Sequence, residues 1–310
     1  MLQKSMRTVS PGKGSVSGLI QWASALLHNH HIDNPRLDAE ILLSHVMGCE
    51  RIVLHTHPSK PLNDDIAARY ESVVWRRAQR FPLQYITNQA EFMSLGFYVD
   101  ERVLIPRPET EVLVEAVMKR AQAMPESRET VIIDIGTGSG NIAVSLAKHL
   151  ENVRIFAIDV SPDALAVAKI NAQRHGASNK ITFLCGDAFK PLEGTETAAQ
   201  AHFIVSNPPY VGEDEFPLLQ EEVRDFEPYT ALVSGRDGLQ AFKHIIAEVK
   251  RWLRPGGFIA LEVGEKQARD VSHLLQNAGC FTHIEFLADY QQIPRIVVAQ
   301  MEEYCGKDRH

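Results

Sequence analysis

Cysteine is scarce and scattered. The four cysteines of the 310-residue chain, Cys49, Cys185, Cys280 and Cys305, form no C-x-x-C pair, so neither a zinc site nor a disulfide framework is indicated and a reducing, cytoplasmic setting fits best. Long apolar runs are missing as well. Nothing approaches the roughly eighteen consecutive apolar residues of a membrane helix, and Met1-Leu2-Gln3-Lys4 leads into no apolar segment, so neither a membrane span nor a secretion signal is expected. Positive charge is not in excess: 39 Asp and Glu outweigh 32 Lys and Arg, a net of -7. That balance argues against a broad, non-specific grip on a phosphate backbone and leaves only a local basic patch open. Gly12-Lys13-Gly14 is no phosphate-binding Walker loop, because no Gly-Lys-Ser/Thr follows a glycine at the required distance. Internal repeats and low-complexity tracts are absent too.

What remains is an ordinary globular composition, long enough for two domains. Residues 1–14 are polar and Gly/Pro-containing and read as a mobile arm. From Ser15 the pattern turns helical. Leu19, Ile20, Trp22, Ala23, Leu26 and Leu27 repeat at three and four residues; Asn34-Pro35 starts a second helix with Leu37, Ile41, Leu42 and Val46 on one face and Gly48 at its end; a third runs from about Asn63 to Arg80. Residues 15–90 are therefore expected to be a helical substrate-recognition domain. His28, His30 and His31 do not share one helix face and have no completing carboxylate or cysteine, so they read as surface histidines. Residues 91–106 then read as a linking β-hairpin, with Phe92, Leu95, Phe97, Val99 and Val103 to Ile105 flanking a turn at Asp100-Glu101-Arg102. Pro108 and Glu109 suit the first turn of a following helix with Leu113, Val114 and Val117 inward, and Ala121 to Thr130 reads as a connection.

The chemistry-bearing stretch runs from Ala201 to Tyr210. Phe203 to Val205 is a bulky, largely β-branched run that stops at Pro208-Pro209, so it reads as a short buried strand with functional groups past its carboxyl end. Proline lacks an N–H and restricts the residue before it, so Asn207 and Pro208 are expected extended with their carbonyls in set directions. Asn207 adds a side-chain amide and Tyr210 a flat ring. These parts suit a planar –NH2 group held edge-on by two carbonyl oxygens and covered by a ring. Asn-Pro-Pro is also ordinary turn chemistry; a second signature upstream favours the functional reading.

That signature is Val131-Ile132-Ile133-Asp134-Ile135, a buried strand, followed by Gly136-Thr137-Gly138-Ser139-Gly140 and a helix with Ile142, Ala143, Leu146 and Ala147 inward. Strand, glycine turn and helix open a Rossmann-like βαβ unit, in which missing Cβ atoms let a ligand lie against backbone N–H groups. A nicotinamide site wants Gly or Ala at the sixth position of G-x-G-x-x-G, and Asn141 stands there. Gly-x-Gly-x-Gly after an acidic strand residue is similar instead to the loop of adenosylmethionine-dependent methyltransferases, with Asp134 orienting the loop and the methionine ammonium. The next strand ends at Asp159, 159 minus 134 or 25 residues on, where a carboxylate accepts from ribose hydroxyls or caps the helix at Ser161-Pro162. Ile181 to Cys185 leads to Asp187, placed to accept from an adenine amino group, with Ala188 and Phe189 against the ring. Phe258 to Val263 is a fifth strand after the turn at Arg254 to Gly257, and Thr282 to Phe286 with Ile296 to Ala299 reads as an antiparallel pair closing the sheet. Glu262 is either salt-bridged or near the site, and the residues leave both open.

With these residues placed, the chain resembles the HemK family of protein-(glutamine-N5) methyltransferases, of the type acting on peptide chain release factors. The resemblance is carried by Leu37 to Leu43, Pro82 to Ile86, Val103 to Glu111 with its Arg107-Pro108-Glu109-Thr110-Glu111, the glycine loop, Ser206 to Val211, and Ser234 to Leu239. It implies an α/β fold: a Rossmann-like class I methyltransferase sheet over 107–310 behind the helical domain, which would dock the release factor. It implies S-adenosyl-L-methionine as cofactor, held by Asp134, Gly136, Thr137, Gly138, Ser139, Gly140, Asp159, Asp187, Ala188, Phe189 and Asn207. The activity implied is methyl transfer to the side-chain nitrogen of the glutamine in a release factor's Gly-Gly-Gln motif. Asn207, Pro208 and Tyr210 would be catalytic, the glutamine would enter over Asn207 to Tyr210, Pro209 included, with Arg107 alongside, and no metal is implied. Ala188 stands where some relatives carry an aromatic residue.

A sister enzyme acting on a ribosomal protein, an adenine-N6 methyltransferase of nucleic acid and a catalytically silent binding module are the alternatives. The second would want a recognition domain or basic groove for base flipping, and the third a broken donor loop; neither feature is seen in the sequence.

Overall fold

A computed structural model describes residues 14–124, 129–195, 197 and 199–303. The expected arm lies outside the described residues apart from Gly14, as do 125–128 of the expected connection and the tail from 304. The chain divides into two compact units, Met1–Asn88 with Glu221–Phe226, and Gln89–Gln220 with Glu227–His310.

The first unit is helical: α1 Val16–Asn29, α2 Pro35–Met47, α3 Arg51–Thr56, α4 Asp64–Ala78 and α5 Leu83–Thr87, joined by the short α9 Glu221–Phe226 from far along the chain. Local chemistry sets the ends. The Ser15 side chain accepts from Gly18 N and that of Asn63 from Ile66 N, Pro35 opens α2, and Gly48 closes it in the left-handed region. The apolar stripes meet in one core of Leu19, Ala23, Leu27, Leu42, Leu43 and Val74, into which Tyr70 points with its hydroxyl donating to Ala39 O at 2.9 Å. On α2 the buried face is rotated from the expected one. Leu37 is exposed while Asp38 is buried, because Arg77 of α4 donates from Nε to Asp38 Oδ2 at 2.7 Å and draws that face inward.

The second unit opens with a hairpin, but the expected turn at Asp100 to Arg102, though present with Val103 N donating to Asp100 O at 3.1 Å, is not the turn of that hairpin. Strands β1 Ala90–Phe92 and β2 Leu95–Phe97 pair antiparallel across Met93 and Ser94, both with positive φ, as a two-residue type I′ turn requires. Glu111 of α6 Glu109–Gln122 holds that turn by accepting from Met93 N at 2.6 Å. Asp100 instead caps a loop, its carboxylate accepting from Arg102 N and from the Arg102 guanidinium.

The remaining elements in chain order are β3 Thr130–Ile135, α7 Asn141–His149, β4 Val153–Asp159, α8 Pro162–Arg174, β5 Ile181–Cys185, β6 Ala201–Ser206, α10 Tyr229–Leu232, α11 Gln240–Trp252, β7 Leu253–Glu262, α12 Ala268–Ala278, β8 Phe281–Ala288 and β9 Pro294–Met301. The large sheet has seven strands in the order β5-β4-β3-β6-β7-β9-β8. The first five in space are parallel, and β9 runs antiparallel to both β7 and β8, the closing pair the sequence leads one to expect. Side chains alternate across the strands. Ile132, Phe203 and Val205 pack with Leu113, Val117 and Leu146 on one face, while Ile133, Ile135 and Ile204 meet Phe242, Ile245, Val249 and Leu275 on the other. From β3 the chain winds outward through β4 to β5, then returns to lay β6 on the other side of β3. The carboxyl ends of β3 and β6 are thus a topological switch point, where doubly wound sheets open a ligand crevice.

Candidate active site

Strand register brings the two sequence signatures together. Ile135 is paired with Ser206, and Ser206 Oγ donates to Ile135 O at 2.7 Å, so Gly136 and Asn207 leave adjacent strands side by side. A Cβ on Gly136 would sit 3.9 Å from Asn207 O; the acceptor-rich corner faces the glycine turn. Likewise Asp159 is paired with Cys185 at the ends of β4 and β5, which sets Asp187 in the same row. A cavity of about 670 Å³ opens over these ends, lined by Gly136 to Ser139, Asp159, Asp187, Ala188 and Asn207 to Pro209, with Arg107 and Thr110 on its wall. That volume is in the range of about 300–1,000 Å³ that receives a small organic ligand.

The turn itself is held from below. Gly136, Gly138 and Gly140 all have positive φ, and a Cβ on Gly140 would meet Ala168 Cβ at 3.0 Å, so a side chain there would push α7 off α8. Asp134 is fully buried and accepts from Thr137 Oγ1 at 2.7 Å, with the Ala143 backbone N–H also acting on its carboxyl. Burial pushes its carboxyl up to about 7, opposed by the Thr137 hydrogen bond and reinforced by the charge of Asp159. Asp159 Oδ2 accepts from Gly138 N at 2.8 Å and Oδ1 from Ser161 N at 2.9 Å. Burial raises its carboxyl too, against those backbone donors. The helix cap is Ser161 rather than Asp159, its side chain accepting from Ala164 N. Asn171 of α8 is a support the sequence did not reveal. Its Nδ2 donates to Ser139 O and to Tyr98 O, both at 2.9 Å.

Four residues expected at the site do not line the cavity. Asp134 lies beneath the turn. Gly140 is the cap of α7. Phe189, expected against an adenine ring, is fully buried and stacked on Trp252 at 5.8 Å between centroids; its apolar bulk is taken by the core beneath α11. Tyr210 packs behind the wall, with Cδ2 3.4 Å from where a Cβ on Gly264 would stand. Burial raises its phenol, with Glu262 adding to the effect. Gln267 Nε2 fixes the Tyr210 carbonyl by donating to it at 2.8 Å. The chain beyond is pinned by Val211 N donating to Leu232 O and Ser234 N to Val211 O, each at 2.9 Å.

Arg107 is on the wall but engaged: Nη2 donates to buried Glu227 Oε1 at 2.6 Å, and Glu227 Oε2 accepts from Ile105 N. Asp187 is paired with Lys190 at 2.7 Å, which holds its carboxyl below the usual range. Glu262, left open by the sequence, is buried and accepts from Thr110 Oγ1 at 2.6 Å; Thr110 Oγ1 in turn accepts from Asn207 Nδ2 at 3.2 Å. Thr110 had one legible signal, as a polar residue at the head of the stripe Thr110, Leu113, Val114, Val117.

A doubly wound seven-stranded sheet with a glycine turn at its switch point, an acidic residue after the next strand and Asn-Pro-Pro-Tyr after the fourth defines a class I methyltransferase. Residues 126–302 match the family described as methyltransferase domain, and residues 18–87 the family described as PrmC N-terminal domain. The catalytic domain of hMettl16, crystallised with an RNA hairpin, shares the fold at a TM-score of 0.51 and 17% identity over 79% of this chain and 85% of that one. A release factor glutamine methyltransferase of Clostridium acetobutylicum is 40% identical over 84% of this chain and 90% of its own length. That of Koribacter versatilis is 40% identical over 89% and 96%, and that of Bacillus cereus 33% identical over 91% and 98%. The chain belongs to the release factor glutamine methyltransferase family.

Proposed function

We propose that this protein transfers a methyl group from S-adenosyl-L-methionine to the side-chain nitrogen of the glutamine in the Gly-Gly-Gln motif of a peptide chain release factor, in the cytoplasm. The observation that carries the reading is the Asn207 side chain. Its Nδ2 is engaged by Thr110, which leaves Oδ1 as the acceptor for an –NH2 group on the cavity wall beside the glycine turn.

The residues present fit the donor. Asp159 keeps lone pairs beyond its two backbone bonds for ribose hydroxyls, Asp187 and Ala188 flank space for an adenine, and Gly136 and Gly138 put no side chain between the turn and the cavity. When bound, the donor supplies an electrophilic methyl group on a sulfonium. A carboxamide nitrogen is a poor nucleophile because its lone pair is delocalised into the carbonyl. Asn207 Oδ1 and the Pro208 carbonyl each accept one amide hydrogen, which turns the lone pair toward the donor; Pro209 narrows the entrance and Arg107 borders it. Tyr210 supports the corner from behind. Positioning and aimed dipoles then supply most of the acceleration. The net charge of -7 disfavours a nucleic-acid acceptor, and the relatives named for release factors favour a protein one.

The test mixes purified protein and methyl-labelled donor with release factor, with large-subunit ribosomal proteins, or with DNA. Label on the release factor alone is expected, vanishing when the Gly-Gly-Gln glutamine is replaced. Label on the ribosomal protein or DNA instead would overturn the assignment.

A further inference from the structure

Next to Asn207 stand two buried polar side chains to which the proposed function assigns no contact with donor or acceptor amide, Thr110 at the cavity wall and Glu262 beyond it. Thr110 lies in the first turn of α6 and Glu262 is the last residue of β7; they are 0% and 2% exposed. Thr110 Oγ1 donates to Glu262 Oε2 at 2.6 Å and accepts from Asn207 Nδ2 at 3.2 Å. The chain brings the three together from three elements, with Thr110 separated by 97 residues from Asn207 and by 152 from Glu262.

The order of donors in this chain follows from proton counting. A hydroxyl carries one proton, and an ionised carboxylate only accepts. While Glu262 is ionised, Thr110 must donate to it and has only lone pairs left for Asn207. The Asn207 amide then presents –NH2 to Thr110 and its oxygen to the cavity. If Glu262 is protonated it can donate to Thr110, whose own proton is then free to point at Asn207. The amide can now turn over and offer –NH2 to the cavity, where it would meet another –NH2.

We propose that Thr110 and Glu262 are positioning residues for methyl transfer, a relay that fixes which end of the Asn207 amide faces the acceptor. The inference rests on the glutamine reading given above. Glu262 is well placed to make the relay sensitive to pH. Burial raises its carboxyl to about 7, opposed by the Thr110 hydrogen bond, reinforced by Glu109 and opposed again by Arg295 and Arg107. Tyr210 also acts on it, and its phenol, raised by burial, stays protonated through the range concerned. Ionisation of Glu262 sets the amide correctly, so the rate rises with pH through about 7.

The experiment is single-turnover methylation of release factor at saturating donor, from pH 5.5 to 8.5, with donor affinity measured separately by calorimetry. Saturation with donor removes the effect of Asp134, raised to about 7, on donor binding, and the same profile taken on Asp134→Asn separates any effect of that carboxyl on the bound complex. Thr110→Val is expected to lower the rate by about tenfold to a hundredfold with donor Kd within threefold, and Thr110→Ser to recover most of that loss. Glu262→Gln is expected to lower the rate and to flatten the pH profile. An unchanged rate in Thr110→Val, or a pH rise that persists in Glu262→Gln, would overturn the relay. Absence of label in the wild-type reaction would instead overturn the glutamine reading, so the two failures are distinguishable.

Discussion

Asn207 stands at the end of β6 because two features stop the strand there: the Ser206 hydroxyl is used up on Ile135 O, and Pro208 has no N–H to continue a ladder. Its amide is thereby aimed rather than merely present. Asn207→Ala should lower turnover by about a hundredfold or more, the scale on which removal of one preorganised polar group acts, with donor Kd changed by less than severalfold. Turnover and donor calorimetry on the same preparation check this, and equal losses in both would mean that Asn207 serves the donor instead. Asp134 makes a different prediction, because its carboxyl is raised from 3.8 to about 7 by burial. A raised acid favours the folded state in its protonated form, so its contribution is full below about pH 4 and is lost as pH climbs to about 7. The donor-free protein should therefore lose up to about 1.4 kcal/mol per pH unit from this group across that window. Asp134→Asn should remove the slope, so that the melting temperature of the variant relative to wild type increases from pH 4 to pH 7. Asn207, Asp159 and the glycines were readable because each carries its own signature beside a strand. Glu227 and Asn171 were not, and Thr110 only as a polar residue on an apolar stripe, since their roles come from partners 120, 32 and 97 residues away in sequence.

At the scale of elements, the corner after β6 is shaped by what packs against it. Gly238 has a φ of 68°, and a Cβ there would stand 2.2 Å from Tyr210 O and 2.7 Å from Gln267 Nε2, the pair whose hydrogen bond holds the Tyr210 backbone. Gly176 has nearly the same φ, 65°, with nothing within 4 Å of its Cβ position. The two glycines separate backbone strain from close approach. Gly176→Ala should cost about 1–2 kcal/mol, the penalty of a left-handed backbone alone, seen as a melting shift with turnover intact. Gly238→Ala should cost more and should also lower turnover, because Tyr210 must move; equal effects of the two changes on melting and turnover would contradict that account. The parallel strands and their order of appearance were legible from buried apolar runs ending in Gly, Asp or Pro. The hairpin was misplaced for a physical reason. Its turn is Met93-Ser94 rather than an Asn-Gly type pair, and both residues are held at positive φ by tertiary contacts such as the Glu111 bond to Met93 N, whereas Asp100 to Val103 does turn, with Val103 N donating to Asp100 O at 3.1 Å, but joins no pair of strands.

Across the whole molecule, the chain order and the folded units do not coincide, and no periodicity in the sequence announces it. Residues Glu221–Phe226 belong to the helical unit although they follow Asn207 by little more than a dozen positions. What holds them there is polar and aromatic together. Arg77 donates to Asp38 at 2.7 Å and to Glu222 at 2.9 Å from an almost fully buried guanidinium, Arg80 pairs with Glu221 at 3.2 Å, and the Phe226 ring meets Phe81 edge-on at 5.2 Å. Removing one partner of a buried pair costs on the order of 3–5 kcal/mol when the remaining charge has no other partner. Asp38 stays beside Arg77 when Glu222 is neutralised, so the cost of Glu222→Gln should be smaller and confined to α9. Arg77→Ala strands Asp38 and leaves Glu222 only Arg80 at 3.8 Å, and should loosen α2, α4 and α9 at once. Hydrogen exchange of the intact chain reads this directly. Glu222→Gln should speed exchange over Glu221–Phe226 with β3 and β6 unchanged, and Arg77→Ala should extend the faster exchange to α2 and α4. Uniform acceleration that included β3 and β6 in the Glu222→Gln protein would show that the segment is held by the sheet-bearing unit instead, and that the ion pair is incidental to its placement.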